Sequence, residues 1–126
     1  MLEYAITSLL NDICAPIIGE DKISPIFTTE VPGVTYTDTP ISTGLISEDQ
    51  VEIKIIHDDI DEGLRLKKAI SDKFNTKYQD EPLLANDIQI ISNLAGGGSI
   101  FNDSIQVWEL SLIFIMKWRN IKWVIQ

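Results

Sequence analysis

Apolar residues at Leu2, Ala5, Ile6, Leu9, Leu10 and Ile13 recur at spacings of three and four, which predicts a helix with one buried face. Pro16 and Gly19 predict its end. From 17 to 50 the pattern changes. Pro25, Pro32 and Pro40 interrupt a stretch rich in threonine and serine, which predicts short strands around Ile23 to Thr28 and Thr35 to Ile46, broken at Pro32-Gly33. Such proline content suits edge strands and long connections better than a central sheet. A surface hairpin is the plain reading of this region, and an arm that reaches a neighbour is the sharper one.

Val51, Ile53 and Ile55 alternate with Glu52, Lys54 and Ile56, as in a strand with one buried face. A helix follows from about Asp59 to Lys77, with Ile60, Leu66, Ile70 and Phe74 on one side. Gly63 lies on that side, where a close approach to a sheet needs no side chain. Beyond Pro82, DIQIIS (87 to 92) and SIQVWELSLIFIMKW (104 to 118) read as two strands, with the glycine-rich LAGGGSIFND between them as a hairpin loop. The last strand has a face carrying Trp108, Leu110, Leu112, Phe114, Met116 and Trp118, but Ile113 and Ile115 make its other face apolar too. Both faces need cover, from helices or from a subunit interface. The expected fold is a single α/β (α+β) domain over 1–126, its mostly antiparallel or mixed sheet flanked by two main helices in the order α-β-β-β-α-β-β.

Composition narrows the function. The 126 residues, 44% apolar, can bury a sizeable core without metals or disulfides. Cys14 is the lone cysteine, which excludes an internal disulfide framework, fits a reducing cytosol and suits a small buried hydrophobe. The N-terminus has no signal-peptide pattern, and the apolar run LSLIFIM (110 to 116) is too short to span a bilayer, so a soluble protein without membrane contact is expected. With 19 acids against 10 bases the net charge is −9, and no basic stripe is present. Tight nucleic-acid binding is therefore not expected, whereas an acidic surface suits a protein that lets DNA pass without gripping it.

Candidate chemistry is thin. HDDIDEG (57 to 63) packs the lone histidine against four acids at a strand-to-helix junction. Asp59 as N-cap with Glu62 three residues on has the spacing of a capping box, and the acids of the first turn suit the helix dipole. A metal would need at least three convergent ligands, and no second histidine exists. AGGGS (95 to 99) lacks the lysine and following helix of a phosphate cradle. No nucleophile–base arrangement has motif context, so no catalytic, cofactor-binding or metal residue is assigned and no enzymatic activity is expected.

VEIKIIHDDIDEGLRLKKAISDKF (51 to 74) and the closing WELSLIFIMKW (108 to 118) resemble the tail terminator proteins of tailed bacteriophages, also called tail-completion or head–tail joining proteins. The order of elements is similar over almost the whole chain. The resemblance implies a ring, usually hexameric, that caps the tail tube, stops its polymerisation and joins it to the head connector or stopper protein, leaving a channel for DNA. It implies a virion component at the head–tail junction, made in the bacterial host cytoplasm, with no catalytic residues. Candidate contacts with other copies or partners are Thr35, Tyr36 and Thr37 in the 35 to 46 region, Phe101 in the glycine loop, and Trp118, Arg119 and Trp123. Two rivals stand beside this reading. One is a small-molecule-binding regulatory module with a ferredoxin-like α/β fold, its glycine loop on the ligand. The other is a metal-dependent hydrolase using His57, Asp58 and Asp59.

Overall fold

The computed structural model describes residues 2–26, 28, 30–76 and 81–121. Helix α1 (Leu2–Ile18) is followed by β1 (Ile23–Pro25), β2 (Gly33–Ser42) and β3 (Ser47–His57). Then come helix α2 (Ile60–Phe74), β4 (Leu83–Ala85), β5 (Ile88–Asn102) and β6 (Val107–Asn120). The strands form one mixed sheet in the order β1-β2-β3-β6-β5-β4, curled into a half-barrel. All pairs are antiparallel except β1 with β2.

This overturns the five-stranded layout flanked by helices. The sheet has six strands, the order is α-β-β-β-α-β-β-β, and both helices lie on one face. β4 was hidden because it is only three residues long, yet Asn86 and Asp87 both take positive φ (49° and 63°) and turn it directly into β5. β1 is parallel to β2, so the 23 to 46 region is no simple hairpin. The glycine loop is also corrected. Gly96, Gly97 and Gly98 are strand residues paired with Ile113, Leu112 and Ser111, and the reversal falls at 103–106. There Gln106 takes φ 56° and its amide donates to the Asp103 carbonyl (2.7 Å).

α1 ends at Ile18, past Pro16 and just before Gly19, the two residues expected to end it. Pro16 lies in its last turn, where it removes one i→i−4 hydrogen bond, and the packing of Ile17 and Ile18 on the core keeps the helix going past it. Gly19 closes the helix at φ 94°, its N–H donating to the Ala15 carbonyl (3.0 Å).

The core lies between the helices and one sheet face. β3 presents Val51, Ile53 and Ile55 to it, and β6 presents Leu110, Leu112, Phe114 and Met116. α1 contributes Leu2, Ile6 and Leu10, and α2 contributes Leu66, Ile70 and Phe74. Fully burying each such side chain stabilises by about 1.5–3 kcal/mol. Gly63 is the closest point: a Cβ there would stand 3.0 Å from Leu110 Cδ1 and 3.5 Å from His57 Cβ. On the opposite face Ile113 and Ile115 are half-buried and no helix covers them among the described residues.

The two long outer strands are each divided. β2 is buried over Gly33–Tyr36, beside β1, and mostly exposed from Thr37 to Ser42. β5 is largely buried over 88–92, beside β4, and exposed from 93 to 101. Their exposed halves lie on opposite edges and at opposite ends of the sheet.

Candidate functional site

The HDDIDEG junction closes on itself. Asp59 caps α2, its Oδ1 accepting from the N–H groups of Asp61 (3.0 Å) and Glu62 (3.4 Å). The reciprocal bond of a capping box is absent. Instead the Asp59 N–H donates to His57 Nδ1 (2.9 Å), and His57 Nε2 lies 3.2 Å from Glu62 Oε1. An accepting Nδ1 places the ring proton on Nε2, which then donates to Glu62. Asp58 Oδ1 also lies 3.2 Å from Nδ1, but it is exposed and cannot be served by a nitrogen whose lone pair is already engaged. The histidine therefore completes the cap. It is 4% exposed, and no group of three metal-binding side chains occurs among the described residues. His57→Ala should cost about 1–2 kcal/mol, for the two part-buried hydrogen bonds that the ring makes. A urea midpoint indistinguishable from wild type would contradict the bridging role.

A second polar group was not anticipated. Asp38 on β2 and Asp49 on β3 both turn toward the helix-covered face, diagonally across the ladder in which Pro40 pairs with Asp49. Asp49 is 4% exposed and accepts from Trp118 Nε1 (3.0 Å). Asp38 Oδ1 is buried without a hydrogen-bond partner. Burial first, then the hydrogen bond and charge of Asp49, and then Glu3 of α1, push the Asp38 carboxyl up to about 8. It therefore keeps its proton at neutral pH and shares it with Asp49. Alternation could have flagged each acid separately, since Asp38 and Asp49 fall on the inward parity of their strands, but not their pairing. The clefts described next are lined by neither acid.

The β2–β3 turn carries the most exposed large apolar side chain among the described residues: Leu45 is 98% exposed, and Ile46 beside it 61%. Between this turn and the end of β6 lies a cleft of about 570 Å³ lined by Gly44–Ser47 and Trp118–Asn120. An adjoining hollow of about 350 Å³ lies between Ile46, Ile91 and Lys117. Two of the expected contact residues meet here. Trp118 forms the floor, held by Asp49, and Arg119 Nε donates to Gln89 Oε1 (2.6 Å). The others are scattered. Thr35 and Tyr36 are buried, and the Tyr36 hydroxyl accepts from Thr7 Oγ1 (2.8 Å) against α1. Thr37 begins the exposed half of β2. Phe101 packs edge-on to Trp108 (centroids 4.9 Å apart) at the far end of β5. Trp123 lies outside the described residues.

Cys14 is 1% exposed, and burial pushes its thiol up to about 12. It should resist maleimide in the native state and react fully in denaturant; rapid native labelling would contradict this placement. No described helix is long and apolar enough to cross a membrane.

No family model matches the sequence, and no curated protein matches it. Solved structures do. One chain, from the virion of a native gene transfer agent particle, superposes with a TM-score of 0.62 at 13% identity. The match covers 88% of this chain and 90% of that one. At this identity the likeness shows a shared fold.

Proposed function

We propose that this chain is a structural protein of a phage or prophage-like particle that acts as a tail terminator. Copies form a ring on the end of the tail tube, stop its growth and offer a surface to the head connector, with DNA passing through the centre. The observation that carries this reading is the fold shared, over nearly the full length of both chains, with a component of a gene transfer agent virion. Physical chemistry supports it. A net charge of −9 disfavours a grip on DNA, and the exposed Leu45 and Ile46 beside the Trp118 cleft suit contact with another protein. In this reading the chain works by binding alone, without catalysis, and its buried acids are structural.

The test adds the purified chain to assembling tail tubes of its own particle and images them by electron microscopy with gold-labelled protein. Label confined to one tube end, with growth arrested, is the expected result. Tubes that elongate unchecked and carry no label would overturn the reading.

A further inference from the structure

We infer that copies of this chain join edge to edge, the exposed half of β5 in one copy pairing antiparallel with the exposed half of β2 in the next. The inference deepens the ring reading by naming the surfaces that meet.

The first argument is how the fold treats its edges. An uncovered strand edge is a row of unpaired backbone groups, and proteins normally cover or blunt it. β1 covers the buried half of β2, and β4 covers Ile88–Ile90 of β5. Past β4 the chain still covers the edge with side chains: Thr76 Oγ1 accepts from the Ser92 N–H (2.9 Å) and donates to its carbonyl (3.0 Å), and Asn75 Oδ1 meets the Leu94 N–H (3.5 Å). Cover then nearly stops. Among the described residues one hydrogen bond reaches Ala95–Asn102 from outside the β5–β6 hairpin, a long one from exposed Lys67 to the Gly98 carbonyl (3.4 Å). The segment AGGGSIFN carries no charge, no proline and two exposed apolar side chains, Ile100 and Phe101.

The second argument names the occupant. Along the sheet β2, β3, β6 and β5 alternate in direction, so β2 and β5 of one copy run opposite ways. A second copy in the same orientation therefore presents its β2 antiparallel to the first copy's β5. Such head-to-tail contacts leave neither exposed half unused when they close into a ring, whereas pairing β5 with another β5 leaves both exposed halves of β2 open. Among the described residues the stretches left open are Thr37–Ser42 and Ala95–Asn102; Pro40, which donates no backbone bond, and the register shift between Pro40 and Ser42 confine regular pairing on β2 to its Thr37–Thr39 portion. Both are electrically quiet. In TDTPIS the single acid, Asp38, points inward, so two copies of charge −9 approach through neutral edges.

Gly96 and Gly98 supply a third argument. A Cβ at either would meet nothing within 4 Å, and neither has positive φ. Glycine weakens a strand, and no contact among the described residues calls for it here. A closely approaching backbone would.

Thr39 and Ile100 both face the sheet surface opposite the helices, by their pairing with Gln50 and Glu109. In a Cys14→Ala background, Thr39→Cys with Ile100→Cys and a short bis-maleimide should give a ladder of cross-linked oligomers. A mixture of the two single variants should stop at dimers. Separately, Ile100→Lys should raise the concentration for half-assembly at least tenfold, roughly 1.4 kcal/mol per contact, while leaving the monomer's Tm unchanged. If wild type associates but neither the ladder nor the lysine effect appears, the edge pairing is wrong and the ring reading survives. Wild type that sediments as monomer at every accessible concentration also overturns the pairing, and the tail-tube experiment then judges the function by itself.

Discussion

Raising the pH from 5 to 9 is expected to destabilise this protein by about 2 kcal/mol, and Asp38→Asn is expected to remove most of that loss. Asp38 has its folded pKa raised from 3.8 to about 8, chiefly by burial and by Asp49. A group raised in this way binds a proton more tightly when folded, so its contribution is complete below the unfolded pKa and disappears as the pH climbs through 8. The full shift would imply more, but Asp38 keeps some contact with water, and screening reduces the effect to the figure given. Glu3 acts in the opposite sense. Its carboxyl is lowered, first by a hydrogen bond from its own backbone N–H, so its contribution is lost as the pH falls below the usual carboxylate range. Stability should therefore peak in mildly acidic solution. Thermal melts across the range test this. A wild-type Tm that is flat or rising between pH 6 and 9 would refute the shared proton, and so would an Asp38→Asn variant that keeps the wild-type slope.

Three consecutive glycines should respond in different ways to alanine. Gly97→Ala is expected to cost about 2–3 kcal/mol, because a Cβ there would overlap the Ser111 carbonyl oxygen and the residue holds φ 159° beside the bulge at Leu94–Gly96. Backbone, not a movable side chain, stands in the way. Gly96→Ala and Gly98→Ala meet open space and should be neutral or raise monomer stability by up to about 1 kcal/mol through reduced chain entropy. Urea denaturation of the three variants checks the ordering. Equal losses at all three positions would mean that the bulge lies elsewhere. If the neighbouring copy packs closely against this edge, the two tolerated alanines should weaken association while sparing the fold.

The elements with strong periodicity were legible in the sequence. The spacing on α1 and α2 and the alternation in β3 depend on burial along one face, and burial leaves a direct mark on residue type. Gly63 was legible because helix-to-sheet contact leaves a gap that only a small residue fills. The missed parts depended on partners distant in sequence. β4 is three residues held by a turn, and the glycine strand is straightened by its ladder with β6, against the turn preference of glycine. Among candidate residues, the acids of HDDIDEG could be read as a cap from spacing alone. That Glu62 bonds the histidine in place of the Asp59 N–H depends on the ring position, which spacing does not give. The Asp38–Asp49 pair needed the β2–β3 register, which only the turn at 43–46 sets.

His57 is the last residue of β3, yet it satisfies the first turn of α2. A one-residue slip of β3 against β6 would expose Val51, Ile53 and Ile55, and would also swing the imidazole to the opposite face, away from Asp59 and Glu62. Sheet alignment and helix initiation are thus coupled through one ring. In hydrogen exchange, the Asp59 and Glu62 amides should open together with the β3 ladder and not fray with the helix end. The lone histidine then acts as a latch on folding cooperativity, joining the end of a strand to the start of a helix.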